Sequence, residues 1–397
     1  MSAHTELDVR ELVAPPEVKE WQRKALTAGG VLAILSGIGF VMNAEQAMHS
    51  YLIGFMLILG LTLGPLGFLM VWHLTGGGWG VGIRRIFEAA IANLPLVALA
   101  FIPLLFGLHA NYPWARHEVL ETSEHIAHLA HSFFPLPFFI FRAVLYFVAW
   151  GALAWYLLRW SGMQDDRPAA DLGGRYRALS GGGLVLYFWT LTFATVDWVM
   201  SAAIPWFSSL YALIFAMAQG MSGLAFAVIV GRALRNRGPM VQVLRPKDFH
   251  DYGKFLLMFV MVWAWFNFSQ WLLMWSANLP EEIHFYLARS RGGWEYVTWL
   301  LGLGHFAIPF ALLLSQPRKQ NPDRLVKVAV WLLFMRFLDI YWNLAPNYSP
   351  GVFRFSWMDA VIPLAMLALW VAFFFRNLLL RPLVAAYDPQ LKKMFEG

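Results

Sequence analysis

Ten apolar runs of membrane-spanning length recur along this 397-residue chain, at 25–42, 51–72, 86–108, 138–158, 181–204, 206–230, 255–275, 296–314, 326–343 and 357–375. A hydrocarbon core about 30 Å thick takes roughly 20 helical residues to cross. Inside lipid every backbone N–H and C=O must be paired within the protein, so runs of this length fold as helices. Composition agrees: 59% of residues are hydrophobic and 14% charged, against roughly 25% charged in a soluble domain. A soluble protein cannot hide that much apolar surface, which excludes a soluble enzyme and a disordered chain. Cysteine is absent, which excludes a disulfide scaffold, a thiolate-ligated iron–sulfur cluster, a covalent c-type haem and a cysteine nucleophile. Pro65, Pro95, Pro103, Pro309 and Pro363 fall inside the runs. They predict kinks, not breaks, because neighbouring membrane helices re-satisfy the freed backbone.

The first 24 residues are polar and charged, which speaks against a cleaved signal peptide. Ten spans place both termini on one side, and Lys and Arg decide which. The tails and the loops on their side carry 23 of the 30 basic residues; the opposite loops carry only Arg116, Arg289, Arg291 and Arg354. This asymmetry predicts a multi-pass protein of a cytoplasmic membrane with both termini cytoplasmic. The net charge of +6 is then a topology signal with lipid-headgroup contacts, and implies no nucleic-acid partner.

Two features occur twice. The third run ends in His109-Ala110-Asn111-Tyr112-Pro113 and the seventh in Ser276-Ala277-Asn278-Leu279-Pro280. The fifth closes with Asp197 before Pro205, and the ninth with Asp339 before Pro346. Both matches pair helices four apart. They predict an all-α polytopic fold of ten transmembrane helices: two parallel-repeat four-helix bundles with two peripheral helices. The expected units are a cytoplasmic tail at 1–24, the first peripheral helix and outer loop at 25–50, bundles at 51–204 and 205–343, an outer loop with the last helix at 344–375, and a cytoplasmic tail at 376–397. Outer-end turn chemistry alone can also produce such matches.

A charge at the bilayer centre costs about 2.5–3.5 kcal/mol on insertion scales, so charged residues inside spans face the protein interior and have a partner or a task. Glu88 can pair with Arg84 or Arg85 one turn away, or serve a proton path. Asp197, with Trp189, Trp198 and Trp206 around it in sequence, is read as a proton-relay or pocket residue, or as a helix-to-helix hydrogen bond. Arg336 and Asp339 share a helix face and can form an intrahelical ion pair. Arg142 is a candidate partner for either aspartate. His305 lies near mid-span and can relay protons, bond a quinone carbonyl, or rest neutral against a backbone carbonyl. Asn267, Ser269, Gln270 and Gln219 can bridge these groups or act as interhelical glue. No second deep histidine matches His305, so haem b is not expected. His125, His128 and His131 predict an amphipathic helix on the outer surface, not a metal site. In the outer loops, Trp114, Glu281, Glu282 and Trp294 are candidates for partner docking.

Several of these stretches resemble the membrane subunits of bacterial alternative complex III. They are the run from Tyr187 through Asp197-Trp198 to Ser201 with Trp206-Phe207-Ser208, Ser269-Gln270 with the stretch Trp275 to Glu282, Gly304-His305-Phe306 with Pro309-Phe310, and Asp339-Ile340-Tyr341-Trp342. The chain is most similar to the ActF type, within the NrfD/polysulfide-reductase-like superfamily. The resemblance implies a subunit of a quinol:electron-acceptor (cytochrome c) oxidoreductase. Its implied partners are a homologous ActC-like membrane subunit, an iron–sulfur subunit, c-type cytochrome subunits and a terminal oxidase. Iron–sulfur clusters and haem c would then reside in those partners, and quinol or menaquinol would be the small molecule bound. Absence of cysteine is compatible with that division.

Three functions remain open on these residues: quinol binding or proton conduction along Asp197, His305, Arg336 and Asp339; a scaffold whose charges lock helices; and a secondary transporter. The long, continuous runs count against the last.

Overall fold

The computed structural model describes residues 13–166, 172–385 and 390–391. Arg10, Arg167, Lys392 and Lys393 of the orientation argument lie outside them. The described residues form only helices and connecting turns. In order they are α1 (Pro16–Met42), α2 (Ala44–Thr75), α3 (Arg84–Ile91), α4 (Leu94–Phe106), α5 (Leu108–Asn111), α6 (His117–Thr122), α7 (Glu124–Ser132), α8 (Leu136–Asp166) and α9 (Gly173–Trp198). Then follow α10 (Tyr211–Leu234), α11 (Met240–Val243), α12 (Pro246–Ala277), α13 (Pro280–Leu287), α14 (Trp294–Leu300), α15 (Ile308–Leu314), α16 (Gln316–Gln320), α17 (Pro322–Leu344) and α18 (Trp357–Leu379).

Among the described residues, nine segments are long and apolar enough to cross a membrane, with α3–α4 and α14–α15 each counted as one. The remaining long helix, α17, carries Asp323, Arg324, Lys327, Arg336 and Asp339, so it stands apart by charge. Pro95 sits in the first turn of α4, and residues 92–93 form a turn between α3 and α4. The third run is therefore broken, not merely kinked: Pro95 has no N–H to return to Ile91. Pro65, Pro103 and Pro363 lie inside their helices as expected.

α2 and α10 form the centre. Their apolar windows are 94% and 83% buried, whereas that of α1 is 17% buried. α2 packs on α3, α4 and α9, and α8 packs on α4 and α9. α10 packs on α12 and α17, and α15 contacts α12 and α17. α2 and α10 touch each other, while α18 packs on α2 and α3 and carries α1 on its outside. Lipid gives no hydrophobic drive between helices, so close packing and interhelical hydrogen bonds must hold them. Trp370 Nε1 donates to Thr62 (2.8 Å), Asn93 Nδ2 to the Trp370 carbonyl (2.8 Å), and Trp150 Nε1 to Thr190 (2.8 Å). At the α2–α10 crossing, a Cβ on Gly64 would stand 2.1 Å from the Gln219 carbonyl oxygen. Gly64→Ala is expected to push the central helices apart at a cost of about 1–3 kcal/mol. Thermal unfolding of the full chain in detergent tests this, and an unchanged midpoint contradicts the packing argument.

Large apolar side chains such as Trp265, Leu273 and Trp275 on α12, and Trp299 on α14, face outward, as a membrane protein requires. α7 carries exposed His125, His128 and His131 with Ile126 buried beneath, an amphipathic surface helix.

Candidate functional site

Three buried ionic clusters gather Asp197 with Arg142, Asp339 with Arg336, and Glu88 with Arg84 and Arg85. At the end of α9, Asp197 accepts from Arg142 Nε (2.9 Å) and Nη2 (2.7 Å) and from the Tyr146 hydroxyl (2.7 Å). Arg142 and Tyr146 are one turn apart on α8, so both reach the same carboxylate. The guanidinium also donates to the Phe133 carbonyl (2.8 Å) and lies 4.3 Å and 4.4 Å from the Phe133 and Phe138 ring centres. Trp198 is buried against Tyr146 (5.8 Å between ring centres), Trp206 is buried but stacks on Phe285 (3.9 Å), and Trp189 is 69% exposed. The expected ring of three tryptophans around Asp197 is not formed, because Trp189 falls on the outward face of α9.

The second cluster lies on α17. Arg336 Nη1 donates to Asp339 Oδ2, and Asn343 Nδ2 donates to Asp339 Oδ1 (3.2 Å). The Tyr211 hydroxyl of α10 donates to Asn343 Oδ1 (2.8 Å). Arg336 Nη2 is buried with no hydrogen-bond partner. Behind this pair lies His305, fully buried, with both ring nitrogens unpartnered and the Trp263 ring centre 4.1 Å away. Arg336 acts electrostatically on His305, and the Trp263 N–H lies toward Asp339 without closing a hydrogen bond.

Local sequence explains the setting of His305. Ile308 N–H reaches back five residues to the Leu303 carbonyl, so in this register Pro309, which has no N–H, leaves the Gly304 carbonyl without a helical donor. The chain adopts a π-helix over Leu301–Ala307, the bulge that such sites use. The Trp331 indole donates to the Gly304 carbonyl (2.7 Å), and a Cβ at Gly304 would stand 2.5 Å from Met335 Sδ and 3.2 Å from the Trp331 ring, so both would have to shift.

A cleft of about 290 Å³ opens between the end of α9 and the start of α10, lined by Thr195, Val196, Met200, Phe207, Ser208 and Tyr211. Thr195 and Val196 adjoin Asp197 in sequence. Ser208 donates to Gln270 on α12, and Tyr211 begins the chain to Asn343 and Asp339. The cleft thus connects by hydrogen bonds to the Asp339 cluster through Tyr211, while Asp197 itself, wholly buried, does not line it. Asn267 does not join them: its Nδ2 donates to the Trp263 carbonyl of its own helix (2.8 Å). Gln219 is buried with both amide atoms unpartnered, held against Gly60 and Gly64 of α2.

The third cluster is at the opposite end of the bundle. Glu88 accepts from Arg84 Nε (2.8 Å), Arg85 Nη1 (2.8 Å) and Ser161 (2.7 Å). Arg85 also bonds Asp165, and Arg84 reaches Gln164 (2.8 Å) and Tyr176 (3.1 Å). Arg84 and Arg85 were counted above as loop residues; they are 2% and 3% exposed. The carboxylates of Glu88 and Asp165 draw them inside.

The loops that hold Trp114 and Trp294 fold inward as well. Trp114 stacks on Phe134 (5.0 Å between ring centres), and Trp294 packs on Tyr341 (5.4 Å) and Phe353 (5.1 Å). Both are buried, so neither serves as a docking rim: each caps its aromatic core. Glu282 is half-buried, and the Glu281 side chain lies outside the described ones.

Asp359 and Arg289 are among the buried charges that went unread in the sequence, with Asp248 and Lys319. Asp359 accepts from Ser50 (2.6 Å), Gln46 (2.8 Å) and the Ser356 N–H (2.8 Å). The Ser356-x-x-Asp359 spacing is a capping box and was the available signal. Arg289 sits in the loop after α13 with nothing in the sequence to mark it as buried.

No protein-family model matches this chain, and no curated protein matches it closely enough to show a relationship.

Proposed function

We propose that this chain is a membrane subunit of a bacterial quinol-oxidising electron-transfer complex, binding quinol or conducting its protons while partner subunits carry the electrons. The supporting observation is the hydrogen-bonded chain that starts at the cleft. It runs from Tyr211 through Asn343 to the Asp339–Arg336 pair, with His305 unpaired behind it. A buried imidazole with two free nitrogens is a site for donating to a quinone oxygen or accepting a hydroxyl proton. Quinol oxidation releases two protons, and acceptors beside an apolar-walled cleft suit that chemistry.

The resemblance to the ActF type supplies the rest of the proposal. It implies an ActC-like subunit, an iron–sulfur subunit and c-type cytochromes as partners, while the ten spans, the cytoplasmic membrane and the cytoplasmic termini are proposed from the apolar runs and the Lys and Arg asymmetry. The two-bundle reading draws support from α2 and α10, the two most buried helices, which stand four spans apart and touch. It draws more from the short 3-10 turns that follow both aspartates, at Met200–Ala203 and Ala345–Asn347. The Asn111 and Asn278 motifs differ in backbone: Asn111 ends a helical turn, whereas Asn278 is a left-handed cap with φ 50°.

A scaffold role is the second reading, favoured by the full pairing of Asp197 with Arg142. The experiment is quinol-driven acceptor reduction and proton release in membranes holding the intact complex. Asp339→Asn and His305→Leu are expected to lower the rate by at least about tenfold with assembly retained. Wild-type rates in both, and in Asp197→Asn, leave the scaffold reading alone.

A further inference from the structure

The cleft beside Tyr211 holds about 290 Å³, just under the roughly 300–1,000 Å³ of pockets that take a whole small molecule. A quinol that lives in a membrane carries a long apolar side chain on its ring, so a cleft of this size has room for the ring and not for the chain. Of the two helices that wall it, α10 offers no outward face. Its apolar window is 83% buried, against 39% for the segment that contains α9. On α9, Val185, Trp189, Thr192 and Val196 are spaced four, three and four residues apart and form one ridge. Thr192 and Val196 line the cleft. Val185 and Trp189 continue the ridge away from it and face outward. Phe193 is exposed too and meets Trp189 edge-on, with ring centres 5.8 Å apart, an arrangement that steadies both rings.

We infer that the apolar side chain of the quinol leaves the cleft along this α9 ridge and lies across Trp189, so that Trp189 and Phe193 set a preference for chain-bearing quinols. The inference rests on the reading of the cleft as the quinol site. Lipid is as apolar as the chain, so no hydrophobic drive favours the ridge over the bilayer. The ridge wins by contact: two rings fixed against each other present a firm surface, and an indole face offers many dispersion contacts to a chain laid on it. The Thr192 hydroxyl donates to the Phe188 carbonyl of its own helix (2.7 Å), so no free hydroxyl interrupts the path.

The test uses the full chain in nanodiscs of fixed lipid content and two probes with the same ring: menadione, which has no isoprenoid chain, and menaquinone with a chain of four isoprene units. Dissociation constants from isothermal titration are compared between variant and wild type for one probe at a time, which cancels that probe's partition into lipid. Trp189→Ala and Phe193→Ala are each expected to weaken menaquinone binding at least about threefold and to leave menadione binding unchanged. Trp299→Ala, which removes an outward indole from α14, should change neither. Ser209→Trp, at an exposed position that lines the cleft, should weaken both. If Ser209→Trp weakens both probes but Trp189→Ala and Phe193→Ala affect menaquinone no more than Trp299→Ala does, the ridge is overturned and the quinol site stands. Equal loss of both probes in Trp189→Ala also overturns it, since the effect then belongs to the ring. If wild type binds neither probe, or Ser209→Trp changes neither, the cleft is not a quinol site and the ridge falls with it.

Discussion

Arg142→Leu is expected to destabilise the folded chain by about 3–5 kcal/mol, the cost of leaving one partner of a buried ion pair uncompensated. The substitution strips Asp197 of two charge-assisted hydrogen bonds at 2.9 and 2.7 Å and leaves only the Tyr146 hydroxyl at 2.7 Å. Asp197 is wholly buried at the end of α9, so water cannot take the place of the guanidinium. Asp197→Asn should cost less. It leaves Arg142 with the Phe133 carbonyl at 2.8 Å and the faces of Phe133 and Phe138, which a cation can still use. The combined Arg142→Leu and Asp197→Leu chain should be more stable than Arg142→Leu alone, since an apolar pair carries no stranded charge. Thermal or denaturant unfolding of wild type, Arg142→Leu, Asp197→Leu and the double variant in detergent closes the cycle. If the double variant is no better than Arg142→Leu, the loss lies in packing and not in the buried carboxylate.

Hydropathy made the long helices readable, because span length and backbone pairing in lipid leave few alternatives. Local spacing carried the short-range pairs too. Arg336 meets Asp339 three residues on, and Glu88 meets Arg84 and Arg85 one turn back. The Arg142–Asp197 pair was reached only as one of two options, since its partners lie 55 residues apart. What stayed hidden was sidedness. Nothing local distinguishes Trp189, turned outward, from Trp198, buried nine residues later. Arg84 and Arg85 follow a glycine-rich turn and read as loop, yet Ser161, Gln164 and Tyr176 from two other helices enclose them. Trp114 and Trp294 read as exposed because they lie between runs, whereas each loop folds back and uses its tryptophan as a lid. The cleft beside Tyr211 depends on how α9 meets α10, a relation that no single segment encodes.

Arg289 carries the second large expectation. It lies in the loop after α13, where burial pulls its guanidinium down to about 9, still a cation at neutral pH. It has no carboxylate among its hydrogen-bond partners. Nε donates to the Trp342 carbonyl (3.1 Å), Nη1 to Phe285 (2.8 Å), and Nη2 to the Asn343 carbonyl (2.8 Å) and Asn347 Oδ1 (3.0 Å), with the Phe285 ring centre 3.5 Å away. Trp342 and Asn343 close α17, whose last carbonyls have no helical donors of their own. Arg289 therefore caps that helix from outside, and Asn343 in turn holds Asp339 and receives Tyr211. Arg289→Leu frees several buried acceptors at about 1–3 kcal/mol each, a loss that should lower the unfolding midpoint markedly. Arg289→Lys keeps the charge but offers three donors on a flexible stem in place of a planar fork. It should fold with a smaller loss, yet still release the end of α17. Quinol-driven turnover by the lysine variant then separates two roles of the loop. Turnover reduced well beyond its loss of stability means that Arg289 positions Asn343 and Asp339; turnover that tracks the amount of folded chain means that it only closes the bundle.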